Sequence, residues 1–248
     1  MKLALISTPR SGNTWLRYLL ASVYGLEQYA VHEPASFDWQ GAPDDCIVQM
    51  HWRRSTHLLE LLSRHQFSVV TIARHPLDVL VSILHFSGKE PQTRSWLLGE
   101  GGDETAIHGL SPLSSEFLAY ALSARAEALL SVTTEWWGQD SVTCAQYEDL
   151  VHDPVRTLSE MCEGLGQAKG GLESAVNALT MEKLRPTAVN DHFWQGRPGL
   201  WRQLLPSDVS GPILQAHARV LSALGYRDGD VSGAPDAQTA DARWKQLA

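Results

Sequence analysis

Cysteine is scarce in this 248-residue chain, with three in all: Cys46, Cys144 and Cys162. They are odd in number, far apart, and show no C-x-x-C or Cys/His metal spacing. That excludes a disulfide framework and a cysteine-based metal site, and fits free thiols in a reducing compartment. No apolar run approaches the roughly 20 residues a helix needs to cross a bilayer. The opening run from Met1 to Ile6 is short and passes straight into a polar loop, so no secretory leader is expected and the reading is a cytoplasmic protein. Positive charge is in the minority, 20 Lys+Arg against 28 Asp+Glu, for a formal net charge of −8. Nucleic acids and anionic membranes attract a positive field, so neither is an expected partner; a local Arg cluster around one anionic ligand stays open. The GxxxxGK(S/T) pattern is missing, which disfavours ordinary ATP or GTP hydrolysis. No repeat recurs at a period of 20 to 50 residues.

What is present is globular: 44% apolar and 19% charged residues, enough to build a core. Leu3-Ala4-Leu5-Ile6, closed by Ser7-Thr8-Pro9, reads as a buried strand, and Asn13 to Tyr24 as a helix with Trp15, Leu16, Leu19, Leu20 and Val23 at spacings of three and four. Further strands are expected at Cys46–Met50, Ser68–Ala73 and Ser141–Ala145. Helices are expected at His57–His65, Asp78–Phe86, Pro154–Leu165, Gly171–Leu179 and Pro212–Leu224. A long helix is expected from Glu116 to Trp137. Residues 87–112 carry Gly-, Pro- and Ser-rich loop composition. An insertion of that length in a compact domain reads as a lid or acceptor loop. The organisation is one domain over residues 1–227, with a loosely ordered tail over 228–248 that has at most a last turn near Trp244.

Two strand–loop–helix junctions carry the chemistry. In Ser7-Thr8-Pro9-Arg10-Ser11-Gly12-Asn13-Thr14-Trp15, a helix N-terminus offers free backbone N–H groups to an anion. Gly12 permits close approach of the backbone. Ser11, Asn13 and Thr14 add side-chain donors and Arg10 adds a full charge. The plain alternative is a capped helix with a solvated Arg10. In Thr71 to Phe86, Arg74 ends a strand and Ser82 lies two turns into the next helix. The pair suits a second phosphate, although Arg74 could instead pair with Asp78 across the helix start. Ligands of open α/β sheets bind beyond the carboxyl ends of strands, where both junctions fall.

Together these stretches resemble the nucleotide-dependent sulfotransferases, which use 3′-phosphoadenosine 5′-phosphosulfate (PAPS). The first is similar to the family's 5′-phosphosulfate loop, TYPKSGTTW. The second is similar to its 3′-phosphate segment, RNPKDVAVSYYHF. Ile47-Val48-Gln49-Met50-His51 resembles the segment ending in the family's base, and Tyr147-Glu148-Asp149-Leu150 repeats its YEDL. The resemblance covers roughly residues 2 to 205. It implies a P-loop-like three-layer α/β fold, with a mostly parallel sheet of four or five strands and helices on both faces. It also implies transfer of a sulfuryl group to a hydroxyl of a small or natural-product acceptor, with PAPS as co-substrate and no metal. By the same resemblance His51 is the base and Arg10 the second catalytic residue. Nucleotide contacts fall to Arg10, Ser11, Gly12, Asn13, Thr14, Trp15, Arg74, Ser82, Tyr147, Gly196 and Arg197, with Trp15 stacking on adenine.

The chain departs from the pattern in three places. Arg10 replaces the loop lysine. Gln49 replaces the lysine before the base. In the late loop Trp194-Gln195-Gly196-Arg197-Pro198-Gly199, Trp194 and Gln195 stand where a basic pair is usual, and Arg197 is left to contact the 3′-phosphate. These changes keep a non-catalytic nucleotide-binding module in play. A P-loop-related small-molecule kinase is the other alternative, one that would need Mg²⁺. The oligomeric state and the acceptor are not legible.

Overall fold

The structure is a computed structural model, and it describes residues 1–98, 100–187, 193–227 and 231–247. A five-stranded sheet carries the fold: β1 (Lys2–Ile6), β2 (Glu27–Ala30), β3 (Cys46–Met50), β4 (Ser68–Ala73) and β5 (Val142–Gln146). The order is β2-β3-β1-β4-β5 and every pairing is parallel. All strand carboxyl ends therefore lie along one edge of the sheet.

Helices fill the crossovers of the first two-thirds: α1 (Asn13–Tyr24), α2 (Thr56–Arg64), and then α3 (Pro76–Ser87), α4 (Ser115–Ala121) and α5 (Ala124–Trp136) in the single connection from β4 to β5. Beyond β5 come α6 (Tyr147–His152), α7 (Pro154–Leu165), α8 (Leu172–Ala178) and α9 (Met181–Leu184), and then α10 (Trp201–Leu204), α11 (Ser207–Ala216), α12 (Ala218–Ala223) and α13 (Ala237–Leu247).

Strand alternation divides the core. Leu3 and Leu5 of β1, Ile47 of β3 and Val70 and Ile72 of β4 pack with Leu16, Leu19, Leu20 and Val23 of α1 and with Leu158 and Met161 of α7. Ala4, Ile6, Val48, Met50 and Val69 point the other way, onto Leu58 and Leu62 of α2 and Trp136 of α5. Successive side chains of a strand face opposite ways, so apolar residues at both parities require cover on both faces. The three-layer α/β architecture is the one the sequence implies.

Four local features differ from the sequence reading. The edge strand β2, Glu-Gln-Tyr-Ala, has little buried side-chain surface and so no hydrophobic pattern; its backbone pairing with β3 makes it a strand. The long helix expected over Glu116–Trp137 is two helices. Ser123 takes an extended conformation, and its hydroxyl accepts the Ala126 N–H, starting α5 afresh. The helix expected from Pro212 begins at Ser207 and breaks at His217, whose Nε2 lies 2.7 Å from the Ala121 carbonyl. In the tail, 228–230 lie outside the described residues. Beyond them α13 buries Trp244, whose ring meets Trp194 at 5.8 Å, so this stretch is a packed helix and not a loose end.

The insertion over 87–112 is anchored. Arg125 at the start of α5 is buried and donates to Glu104 from Nε at 2.8 Å. It also donates to the carbonyls of Trp96 at 2.6 Å, Leu97 at 3.2 Å and Glu100 at 3.0 Å. Tyr120 donates its hydroxyl to Glu104 at 3.1 Å. Gly101 crosses so close to α5 that a Cβ there would lie 2.9 Å from the Arg125 backbone nitrogen.

Candidate active site

A cavity of about 350 Å³ opens along the carboxyl edge of the sheet. The β1–α1 loop lies in its middle. Arg10 and Gly12 both take positive φ, 65° and 97°, which turns the chain sharply into α1. Gly12 is required sterically: a Cβ would sit 2.4 Å from Tyr147 Cδ2, against a rigid ring. Thr8 ties the loop to α5, its N–H donating to Thr133 Oγ1 at 2.8 Å and its hydroxyl to the Leu129 carbonyl at 2.9 Å. The first N–H groups of α1 have no partners within the helix, an arrangement that suits an anion.

Arg10 reaches α3. Its Nε donates to Ser82 Oγ at 3.1 Å and its guanidinium lies 4.2 Å from the centre of the Phe86 ring. Arg74, at the end of β4, donates to the Arg10 carbonyl at 3.2 Å and lies 4.6 Å from the Tyr147 ring centre. Its Nε is buried without a partner. Among the described residues Arg74 forms no ion pair with Asp78. That carboxylate accepts instead from the N–H groups of Gly199 at 2.6 Å and Trp201 at 2.9 Å, holding the late loop against α3. Burial is the main influence on Asp78 and raises its pKa. Tyr147 donates to the Gly196 carbonyl at 3.0 Å, and burial raises its pKa as well. Glu148 braces the same corner, accepting from the His75 N–H at 3.0 Å and the Tyr226 hydroxyl at 2.6 Å.

His51 follows β3 and is buried. Its Nδ1 lies 2.8 Å from the Ser7 carbonyl. A carbonyl only accepts, so Nδ1 carries the hydrogen and Nε2 of the neutral ring keeps its lone pair. The ring meets Trp96 of the insertion edge-on at 6.0 Å, and Trp96 stacks on Phe86 at 5.7 Å.

The cavity gathers most of the residues picked from sequence: Arg10, Gly12, Asn13, Thr14, Trp15, His51, Arg74, Ser82, Tyr147 and Gly196 all line it. Three are placed differently from expectation. The Asn13 side chain is taken up by the loop itself, accepting from Ser7 Oγ and donating to the Thr8 carbonyl at 3.0 Å, so it has an internal role. Ser11 is buried behind the lining and its hydroxyl has no partner. The Arg197 side chain is exposed and outside the lining; its carbonyl accepts from Arg74 at 3.5 Å. Trp15 lies edge-to-face with Tyr147 at 6.5 Å and donates Nε1 to the Leu179 carbonyl at 2.8 Å.

Sequence reasoning missed Arg17, Trp96, Phe86, Met181 and Phe193, all in the lining. For Arg17 a signal existed: it follows Thr14 by three residues, one helical turn along the same face. For Trp96 there was none, because the Arg125 clamp that places it is long-range. Gln49 also lines the cavity, and its Oε1 is buried without a partner. His32 lines it too, whereas His85 stacks behind Trp194 at 4.1 Å. In a chain of net charge −8, the described lining contains three arginines and no Asp or Glu. Among the described residues there is no group of three or more His, Cys, Asp or Glu placed to hold a metal. Nor, among the described residues, is any helix long and apolar enough to cross a membrane.

A family model described as the sulfotransferase domain matches residues 1–197. No curated protein matches the chain. Among solved structures, a mouse sulfotransferase, SULT7A1, complexed with PAP superposes with a TM-score of 0.66 at 16% identity, over 89% of this chain and 84% of that one. A retinol dehydratase in complex with androsterone and the inactive cofactor PAP gives 0.62 at 14% identity, over 91% of this chain and 82% of that one. A retinol dehydratase complex with retinol and PAP gives 0.59 at 15% identity, over 91% and 82%. At these identities the likeness is one of fold.

Proposed function

Because the chain belongs to the sulfotransferase domain family, we propose that it moves the sulfuryl group of PAPS to a hydroxyl of a small or natural-product acceptor. The observation that carries this reading is His51, with Nδ1 2.8 Å from the Ser7 carbonyl, in a cavity whose described lining holds three guanidinium groups and no carboxylate.

The residues fit the donor's two anionic ends. Arg74, with its unpartnered Nε, and Ser82 suit the 3′-phosphate. Arg10, the N–H groups opening α1 and the close approach at Gly12 suit the 5′-phosphosulfate. Trp15 and Tyr147 offer aromatic surface to the base. When bound, the donor supplies an activated sulfuryl group. Its transfer resembles phosphoryl transfer, with charge spread over peripheral oxygens and the leaving bridge oxygen. His51 takes the acceptor's hydroxyl proton at Nε2. Arg10 and the loop N–H groups meet the charge that builds on the leaving phosphate oxygen. Arg10 holds Ser82 in this structure, so it exchanges that contact for the phosphate. Trp96 and Phe86, with the rest of the 87–112 segment, shape the acceptor side.

The direct test is incubation with ³⁵S-labelled PAPS and a panel of phenols, alcohols and sugars, with calorimetry of PAP. The expected results are label transfer that persists in EDTA and micromolar PAP binding. Failure to bind PAP overturns the reading; ATP turnover that needs magnesium would identify a kinase instead.

A further inference from the structure

Arg17 is the third guanidinium of the cavity, and the chemistry above leaves it unused. Its position relative to the sheet sets it apart. Arg10 hangs from the central β1 loop, and Arg74 and Tyr147 stand at the ends of β4 and β5. Arg17 lies on the opposite side, where its Nη1 reaches the Tyr29 carbonyl of the edge strand β2 at 3.5 Å. Gln49 of β3 shares strand parity with Ile47, which packs in the α1 cluster, so it faces the same side as Arg17. The donor's two anionic groups already have cationic partners at β1 and β4. A cation towards β2, on the far side of β3 from them, is left without a donor group to bind.

Arg17 is also poorly satisfied. It is largely withdrawn from water, and burial is the main cause of a pKa below the ordinary guanidinium value, although arginine remains charged. Its Nε is buried without a partner. The Tyr18 ring lies 5.3 Å away, and no carboxylate stands within ion-pair distance among the described residues. A largely buried guanidinium held by one long carbonyl contact and the neighbouring Tyr18 side chain, with a buried Nε left over, calls for an anion.

We propose that Arg17 forms an anion subsite on the acceptor side, so that the acceptor carries a negatively charged group, a carboxylate in the simplest case, as well as the hydroxyl that is sulfated. This inference rests on the sulfotransferase reading. Ala30 and Val31 give that end an apolar wall, and His32, whose pKa is lowered chiefly by burial, adds a neutral polar group.

The test compares three phenols that differ only in charge: 4-hydroxyphenylacetate, its neutral amide and the cation tyramine. Each is assayed with PAPS, and PAP affinity is measured by calorimetry on the same protein. Wild type should favour the carboxylate over the amide by about 10-fold or more in kcat/KM, with tyramine poorest. R17Q should lose that preference while binding PAP within about 3-fold of wild type; R17K should recover part of it, because a charge remains without the planar fork. Equal rates for the three phenols in wild type, or turnover of none of them, overturn the inference alone. So does an R17Q variant that loses PAP affinity and has it restored in R17K, since the charge would then serve the nucleotide. If R17Q does not fold, R17K decides: a retained carboxylate preference supports the subsite and a lost one overturns it. Absence of PAP binding by wild type overturns the sulfotransferase reading and this inference with it.

Discussion

The two ends of the cavity are built in different ways. At the β4–β5 end, Arg74, Tyr147 and Gly196 are braced by backbone and by buried partners: the Arg10 and Gly196 carbonyls, Glu148 on the His75 N–H, Asp78 on the late loop. At the β2–β3 end, Gln49 and Arg17 have buried polar atoms with no partner, and one wall comes from Trp96, carried in by an insertion that is pinned from α5. The β4–β5 end also holds an unmet donor, the buried Arg74 Nε, but its frame is fixed by backbone contacts, which suits a constant ligand. An end with a wall borrowed from a distant insertion suits the ligand that varies between relatives. That difference in construction supports the proposed division, with the nucleotide at one end and the acceptor at the other.

Four substitutions would break or sharpen that division. The largest effect is expected for His51→Ala. Turnover should fall by roughly 10²- to 10⁴-fold for loss of the base, with PAP affinity within a few-fold of wild type. A parallel loss of PAP binding in calorimetry would show that the two ends are not separable. Glu104→Ala comes next. It strands the buried Arg125, and breaking a buried pair costs about 3–5 kcal/mol, read as a lower urea midpoint. PAP should still slow unfolding of this variant, because only the acceptor wall has been loosened; loss of PAP affinity at low temperature would argue otherwise.

Arg74→Ala sharpens the other side. Removing a charge-assisted contact worth on the order of 1.5–3 kcal/mol should weaken nucleotide binding by about 10- to 150-fold. It should also erase the preference for PAPS over adenosine 5′-phosphosulfate, while His51-dependent chemistry survives at saturating donor. An unchanged preference in competition assays would misplace the 3′-phosphate.

The most gradual effect concerns pH. Burial, helped by Arg202 and Arg74, lowers the His75 pKa from 6.5 to about 4. Its neutral Nδ1 accepts the Leu77 N–H at 3.3 Å and caps α3. A proton is then bound more readily by the unfolded chain. Stability should be full above about pH 6.5 and fall by up to about 1.4 kcal/mol per unit as pH drops towards 4. His75→Asn keeps a cap acceptor and has no proton to gain, so its urea midpoint should fall less steeply over that window.

Legibility in the sequence followed the same division. β1, β3, β4, α1 and α7 were located from local pattern because each buries an apolar face of fixed period, and the residues that bind at strand ends follow directly in the chain. β2 was not legible: an edge strand takes its identity from a neighbour's backbone, and its side chains need not be apolar. The break at Ser123 was hidden because both halves of the segment have helical pattern, while the cap depends on how the chain turns onto the insertion. Asn13 was read as a ligand donor because its type fits; only the folded loop shows Ser7 and Thr8 occupying it. The sequence pattern offers Arg197 as a cation for the late loop, yet the loop turns its side chain outward and offers the carbonyl.

By itself the sequence determined the alternation of strand and helix, the sharp turn after β1 and the placement of His51 and Arg74 at strand ends. These follow from short-range rules: period, capping, and the geometry of a strand running into a helix. Tertiary structure alone decided which arginine faces which end of the cavity and that Trp96 reaches His51. It also decided that a buried Arg125–Glu104 pair holds the insertion and that α13 packs Trp244 behind Trp194. Each of those depends on groups far apart in the chain whose pairing is set by burial, and burial is a property of the whole packed fold.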